Sequence, residues 1–109
     1  MANMTVANTI LQQLGGGGFK MMTGAKSFIG GDNYLVFRLP GGGGFTKRGI
    51  NVVKIELTPA DTYTVTFSKL RGVKLAEIAT HEDVYADNLR TVFSLETGLT
   101  VSVPRFANL

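Results

Sequence analysis

The chain has 109 residues, of which 44% are hydrophobic and 17% charged; its formal net charge is +3, and it contains no Cys and no Trp. That balance fits one folded domain and excludes a wholly disordered chain. The missing Cys excludes a disulfide framework and a thiolate zinc site, and no apolar run approaches the roughly 20 residues of a membrane-spanning helix.

Residues 1–8 lack the basic start and long apolar stretch of a signal peptide, so a cytoplasmic protein is expected. The charge is unevenly spread. Residues 1–75 hold nine basic and three acidic side chains, whereas residues 76–109 hold two and five. A chain polarised in this way can turn its basic part toward nucleic acid or an acidic partner, although an ordinary solvated surface has the same composition.

In chain order, Ala7, Ile10, Leu11 and Leu14 fall at i, i+3, i+4 and i+7, which predicts a helix over residues 5–14. Asn3 or Thr5 can cap its start and Gly15 can stop it. Residues 19–23 and 27–29 read as strands around Gly24-Ala25-Lys26, and Gly30-Gly31-Asp32-Asn33 reads as a turn. Over residues 34–39, Leu35, Phe37 and Leu39 alternate with Tyr34, Val36 and Arg38. The same period of two places Val53, Ile55 and Leu57 on one face of the next strand. After Thr58-Pro59-Ala60-Asp61 it places Tyr63, Val65 and Phe67 on that face, with Thr62, Thr64, Thr66 and Ser68 opposite.

Arg71-Gly72 turns the chain into a strand over 73–79, where the alternation slips between Leu75 and Ile78 and predicts a bulge or an early end. A second helix is expected over 81–97. Thr80 and Asp83 would form its capping box, Val84, Tyr85, Leu89, Val92 and Phe93 its apolar stripe, and Gly98 its stop, with Leu99 packed back on the last turn. Residues 100–103 can add an edge strand. The expected order is one helix, six strands and one helix in a single domain over 1–109, with loose ends at 1–4 and 105–109. It is an α+β fold of two layers, a mostly antiparallel sheet with the N-terminal and C-terminal helices on one face.

Two runs of four glycines stand out. The first, Gly15 to Gly18, follows a helix and is expected to precede a strand, the reverse of a phosphate-binding loop, and reads as a helix stop with a flexible connection. The second joins two strands and leads through Phe45 to Thr46, Lys47 and Arg48. Gly42 and Gly43 offer backbone N–H groups, the cations offer charge, and Phe45 offers a ring to stack on a base. An ordinary mobile hairpin loop would have the same composition.

Lys69, Arg71 and Lys74 cluster across the following turn, and Lys54 is placed to join them on the wet face or edge. Such a row suits a phosphate backbone, although lysines on an edge strand also block unwanted sheet pairing. Tyr34 is the best candidate for an exposed stacking aromatic. The single His81 has no second imidazole to complete a zinc site and reads as a solvated residue at a helix start. No nucleophile elbow is present, and nothing distinguishes the acidic pairs Asp61 with Glu56 or Glu82 with Asp87. No enzyme and no cofactor are expected.

Several segments carry a resemblance: Met21-Met22-Thr23-Gly24-Ala25-Lys26, Thr58-Pro59-Ala60-Asp61-Thr62-Tyr63, Asp83-Val84-Tyr85-Ala86-Asp87-Asn88-Leu89 and Phe93-Ser94-Leu95-Glu96-Thr97-Gly98-Leu99. Over most of residues 9–99 the chain resembles a group of short uncharacterised proteins of bacteriophages and prophages. The resemblance implies a small accessory phage protein acting on host machinery or defence, and it transfers no functional residue.

Three functional classes follow. One is a module binding nucleic acid, or a host protein that handles it, through the basic sheet face and the second glycine loop. Another is a protein inhibitor of a host defence system. The third is a binder of a small nucleotide ligand, which in so small a chain calls for a pocket at a homo-oligomer interface.

Overall fold

The computed structural model describes residues 4–40 and 46–99. Their elements are α1 (Thr5–Leu14), α2 (Gly16–Thr23), β1 (Lys26–Gly30), β2 (Tyr34–Arg38), β3 (Val52–Leu57), β4 (Tyr63–Arg71), β5 (Lys74–Val84) and α3 (Leu89–Thr97). Single 3-10 turns stand at Lys47–Gly49 and Ala86–Asn88. The strands form one antiparallel sheet in the order β1-β2-β3-β4-β5, each paired with its neighbour in sequence. The helices and the sheet share one core, the two-layer α+β arrangement expected from the sequence.

Register carries the hydrophobic pattern into the core. Val53, Ile55 and Leu57 lie opposite Phe67, Val65 and Tyr63, while Leu35 and Phe37 lie opposite Ile55 and Val53. Directly opposed residues point to the same side of a sheet, so these side chains form one apolar face. Ile10 and Leu14 of α1, Phe19 of α2, and Leu89 and Phe93 of α3 complete the cluster. Phe19 contacts both Phe37 and Phe93 edge-on, with centroids at 5.3 and 5.1 Å. That geometry sets ring edges against ring faces, as the aromatic quadrupole favours.

The segment 19–23 is a helix and not the expected strand. Gly16, Phe19 and Thr23 are buried at i, i+3 and i+7, while Met21 and Met22 face outward. The insertion of Phe19 into the core selects this period despite the poor helix propensity of glycine. Thr23 ties the last turn by donating its hydroxyl to the Phe19 carbonyl at 2.7 Å. Gly15 does end α1, at φ +128°, but the rest of that glycine run forms the first turn of α2 and is not a flexible connection. Gly24-Ala25 therefore joins a helix to a strand, and the sheet has five described strands where six were expected.

The second correction concerns residues 81–88. The expected helix over 81–97 begins only at Leu89, because β5 continues to Val84 and pairs along the whole of β4, from Arg71↔Lys74 to Tyr63↔Val84. Cross-strand pairing overrides the acidic, helix-start appearance of the segment. Two register shifts accommodate it. Ile78 is the extra residue between Phe67↔Ala79 and Ser68↔Glu77, the bulge anticipated from the slipped alternation. The other shift absorbs Glu82 and Asp83, with Asp83 at φ +56°.

Thr80 and Asp83 therefore form no capping box. Met4 precedes α1, so Thr5 is its first residue and not its cap, while Asn3 lies outside the described residues. At the other end α3 stops as expected at Gly98, whose N–H donates to the Ser94 carbonyl at 2.8 Å, and Leu99 packs on the core. The strand expected at 100–103 and the tail 105–109 lie outside the described residues.

Candidate nucleic-acid interface

β4 and β5 are the longest strands, and their turn end extends past β3. Val52 is the last β3 residue in register, opposite Ser68. One step further, Asn51 continues the ladder with its side chain. Its Oδ1 accepts from the Leu70 N–H at 2.7 Å and its Nδ2 donates to the Leu70 carbonyl at 3.0 Å. Beyond this clamp, the pair Arg71↔Lys74 closes the hairpin over Gly72 and Val73. Gly72 has φ +59° and Val73 does not have a positive φ, the sign pattern of a II′ hairpin turn.

Along β4 the face that holds Tyr63, Val65 and Phe67 continues as Lys69 and Arg71, and register adds Ala76 and Lys74 from β5. These four residues line a concavity of about 370 Å³. Lys69 reaches back over Gly49, where a Cβ would stand 3.0 Å from its Cε and Nζ. Gly49 also has φ +70°, so this close approach and the local backbone both favour glycine.

Lys47 and Arg48, in the 3-10 turn ending at Gly49, stand on the same side of the sheet and dock on the end of α3. Lys47 donates its ammonium to the Leu95 carbonyl at 3.2 Å, where the helix dipole favours a cation. Arg48, at φ +55°, pairs with Glu96. The other Glu96 oxygen meets His81 Nε2 at 2.7 Å, and the His81 ring stands edge-on to Phe67. His81 is thus a half-buried β5 residue tying α3 to the sheet, and not the solvated helix-start residue expected from the sequence. Glu96 was not singled out in the sequence; only the contact between α3, β5 and the 3-10 turn reveals it.

The structure therefore gathers Lys47, Arg48, Lys69, Arg71 and Lys74 at one corner. Thr46 is buried there, and its hydroxyl donates to the Ile50 carbonyl. Lys54 does not join them: it stands opposite Thr66 on the other face of the sheet, with Val36 across it on β2. Its ammonium lies 5.1 Å from the centroid of the Tyr34 ring, which also packs against Gly31. A base could stack on Tyr34 only by displacing Lys54. Gly42, Gly43 and Phe45 lie outside the described residues.

On that open face Lys26, Arg38 and Lys54 are accompanied by Glu56 and Glu77, so its charge is mixed, whereas Glu96 at the corner is committed to Arg48 and His81. No described helix is long and apolar enough to cross a membrane. Against known proteins, the chain matches no family model, no curated protein and no solved structure.

Proposed function

We propose that this chain is a non-enzymatic binding module, a phage-type accessory protein acting in the host cytoplasm, and that it engages the phosphate backbone of nucleic acid through its cationic corner. One observation carries the reading: Lys69, Arg71 and Lys74 line a single concavity, with Lys47 and Arg48 alongside. Two parts of the sequence converge on that corner, the 3-10 turn at Lys47–Gly49 and the turn end of the β4–β5 hairpin. Such a cluster repels itself in the free protein and is relieved when phosphates replace small counterions.

The cationic cluster lies on the helix side of the β4–β5 end and not on the open sheet face, and Lys54 has no part in it. Lys47 and Arg48 hold the end of α3, so Lys69, Arg71 and Lys74 are expected to bear most of the phosphate contact. The test is fluorescence anisotropy with labelled single- and double-stranded DNA and RNA, at low salt and near physiological salt. Saturable binding is expected, weakening with salt at a logarithmic slope of about −0.9 per phosphate contacted on duplex DNA. Absence of binding even at low salt contradicts the proposal and leaves a protein partner or a small nucleotide ligand to be sought.

A further inference from the structure

We infer that the β4–β5 turn is a wedge for double-stranded DNA, in which Val73 enters the minor groove and unstacks a base step while Arg71 and Lys74 hold the flanking phosphates. This deepens the nucleic-acid reading and rests on it. Val73 is 99% exposed, although it is β-branched and apolar, and it occupies the outermost position of the ribbon. The core gains nothing from it there. A hairpin turn that only reversed the chain would be served better by Asn, Asp or Ser.

The surroundings of Val73 specify a partner. Arg71 and Lys74 flank the turn directly, and Lys69 follows one step down the same face. On the opposite face Leu70 pairs with Leu75, which is 61% exposed. The end of the ribbon thus has a cationic side, an apolar side and an apolar tip. Proteins that kink DNA combine these features, with cations on the phosphates and an apolar side chain pressed between base pairs.

Two paired strands stand about 4.8 Å apart before their side chains are counted, so the ribbon stays outside a minor groove of about 6 Å and only the tip residue Val73 enters it. Side chains cannot read the deep major groove of an A-form RNA helix, and its minor groove is wide and shallow, so a single tip gains less there. The Asn51 clamp at Leu70 fixes the root of the ribbon, which limits the ordering required on binding.

The experiment uses the full chain and a short B-form duplex carrying a donor–acceptor pair at its ends and 2-aminopurine beside a central TA step. The wild type is expected to bend the duplex by about 20–90° and to raise the 2-aminopurine emission as the step unstacks. Val73→Ser, at an exposed position that leaves the fold intact, should abolish both signals and weaken binding about tenfold, the contribution of about two buried methylene-sized groups. Its salt slope should be unchanged. Val73→Phe should restore the emission.

Arg71→Ala with Lys74→Ala should instead flatten the slope by about two units. Duplex binding with neither bending nor emission change, or a Val73→Ser variant that retains both, overturns the wedge and leaves the nucleic-acid reading standing. Failure to bind any nucleic acid removes both. Association with anionic phospholipid vesicles that depends on Val73, without duplex distortion, overturns the wedge in favour of a lipid surface.

Discussion

The β4–β5 hairpin contains two regions built on one alternation and differing in chemistry. In its inner part Tyr63, Val65 and Phe67 face the helices and are buried; in its outer part the same face continues with Lys69 and Arg71. The parity of the strand does not change at that point. What ends is the cover: α3 and the 3-10 turn reach as far as His81, Gly49 and Lys69. Where a helix layer excludes water the face must be apolar, and where the layer stops the face is free to carry charge. The cationic end is therefore released from the work of folding, and its sequence can answer to a partner.

The largest expected effect lies on the inner side. Phe67→Ala should destabilise the fold by about 3–5 kcal/mol, read as a shift in the denaturant midpoint, because it leaves a cavity in the shared core, where Phe67 lies opposite Val53 and edge-on to His81. Arg71→Ala, four residues further on the same face, should change stability by no more than about 0.5 kcal/mol in the same titration. A comparable loss at Arg71 would show that the outer end belongs to the core after all.

Asn51 stands at the boundary between these regions. Asn51→Ala removes two hydrogen bonds to Leu70 and should cost about 1–2 kcal/mol. Amide exchange at residues 70–75 should accelerate more than at 63–67. Uniform acceleration would contradict a locally rooted ribbon.

How far the sequence could be read follows the same division. Alternation specified β2, β3 and the inner β4, because each has one face against the helices and one away from them. The slipped alternation near Ile78 marked a bulge that the register contains. Elsewhere local signals misled for identifiable reasons. The glycine run before Phe19 argues against a helix, yet the burial of Phe19 and Thr23 at helical spacing imposes one. Thr80-His81-Glu82-Asp83 has the composition of a helix start, yet nine residues of β4 hold it as a strand. At the corner, proximity of Lys69, Arg71 and Lys74 in sequence was readable. The expectation that Lys54 would join them was wrong, because Lys54 pairs with Thr66 and so takes the face opposite Lys69 and Arg71, whereas the Arg48–Glu96–His81 tie joins three segments that only packing brings together.

The glycine run supplies a smaller test. Side chains added at Gly17 and Gly18 would meet open space, and neither has a positive φ. Gly17→Ala and Gly18→Ala should each stabilise the protein by about 0.5–1 kcal/mol, measured as a raised Tm, by narrowing the unfolded ensemble and favouring α2. Destabilisation would mean that a backbone approach at this turn demands glycine.

The smallest effect concerns pH. Burial pushes the Tyr63 phenol above its ordinary value of 10.0, opposed by its hydrogen bond to Gln13. A raised folded value means that the unfolded chain ionises first. The Tyr63 contribution is complete below about pH 10 and is lost as pH rises through the folded value. Chemical denaturation in alkaline buffers should show this decline in the wild type and a shallower one in Tyr63→Phe; identical profiles would contradict it.

The most direct test of the division between a folding end and a binding end is one paired measurement on the Lys69→Ala/Arg71→Ala/Lys74→Ala variant: its denaturant midpoint and the salt dependence of its duplex affinity, both beside the wild type. The account predicts an unchanged midpoint and a logarithmic salt slope flatter by about two to three units. An unchanged slope, or a loss of stability that accounts for the loss of binding, would contradict it.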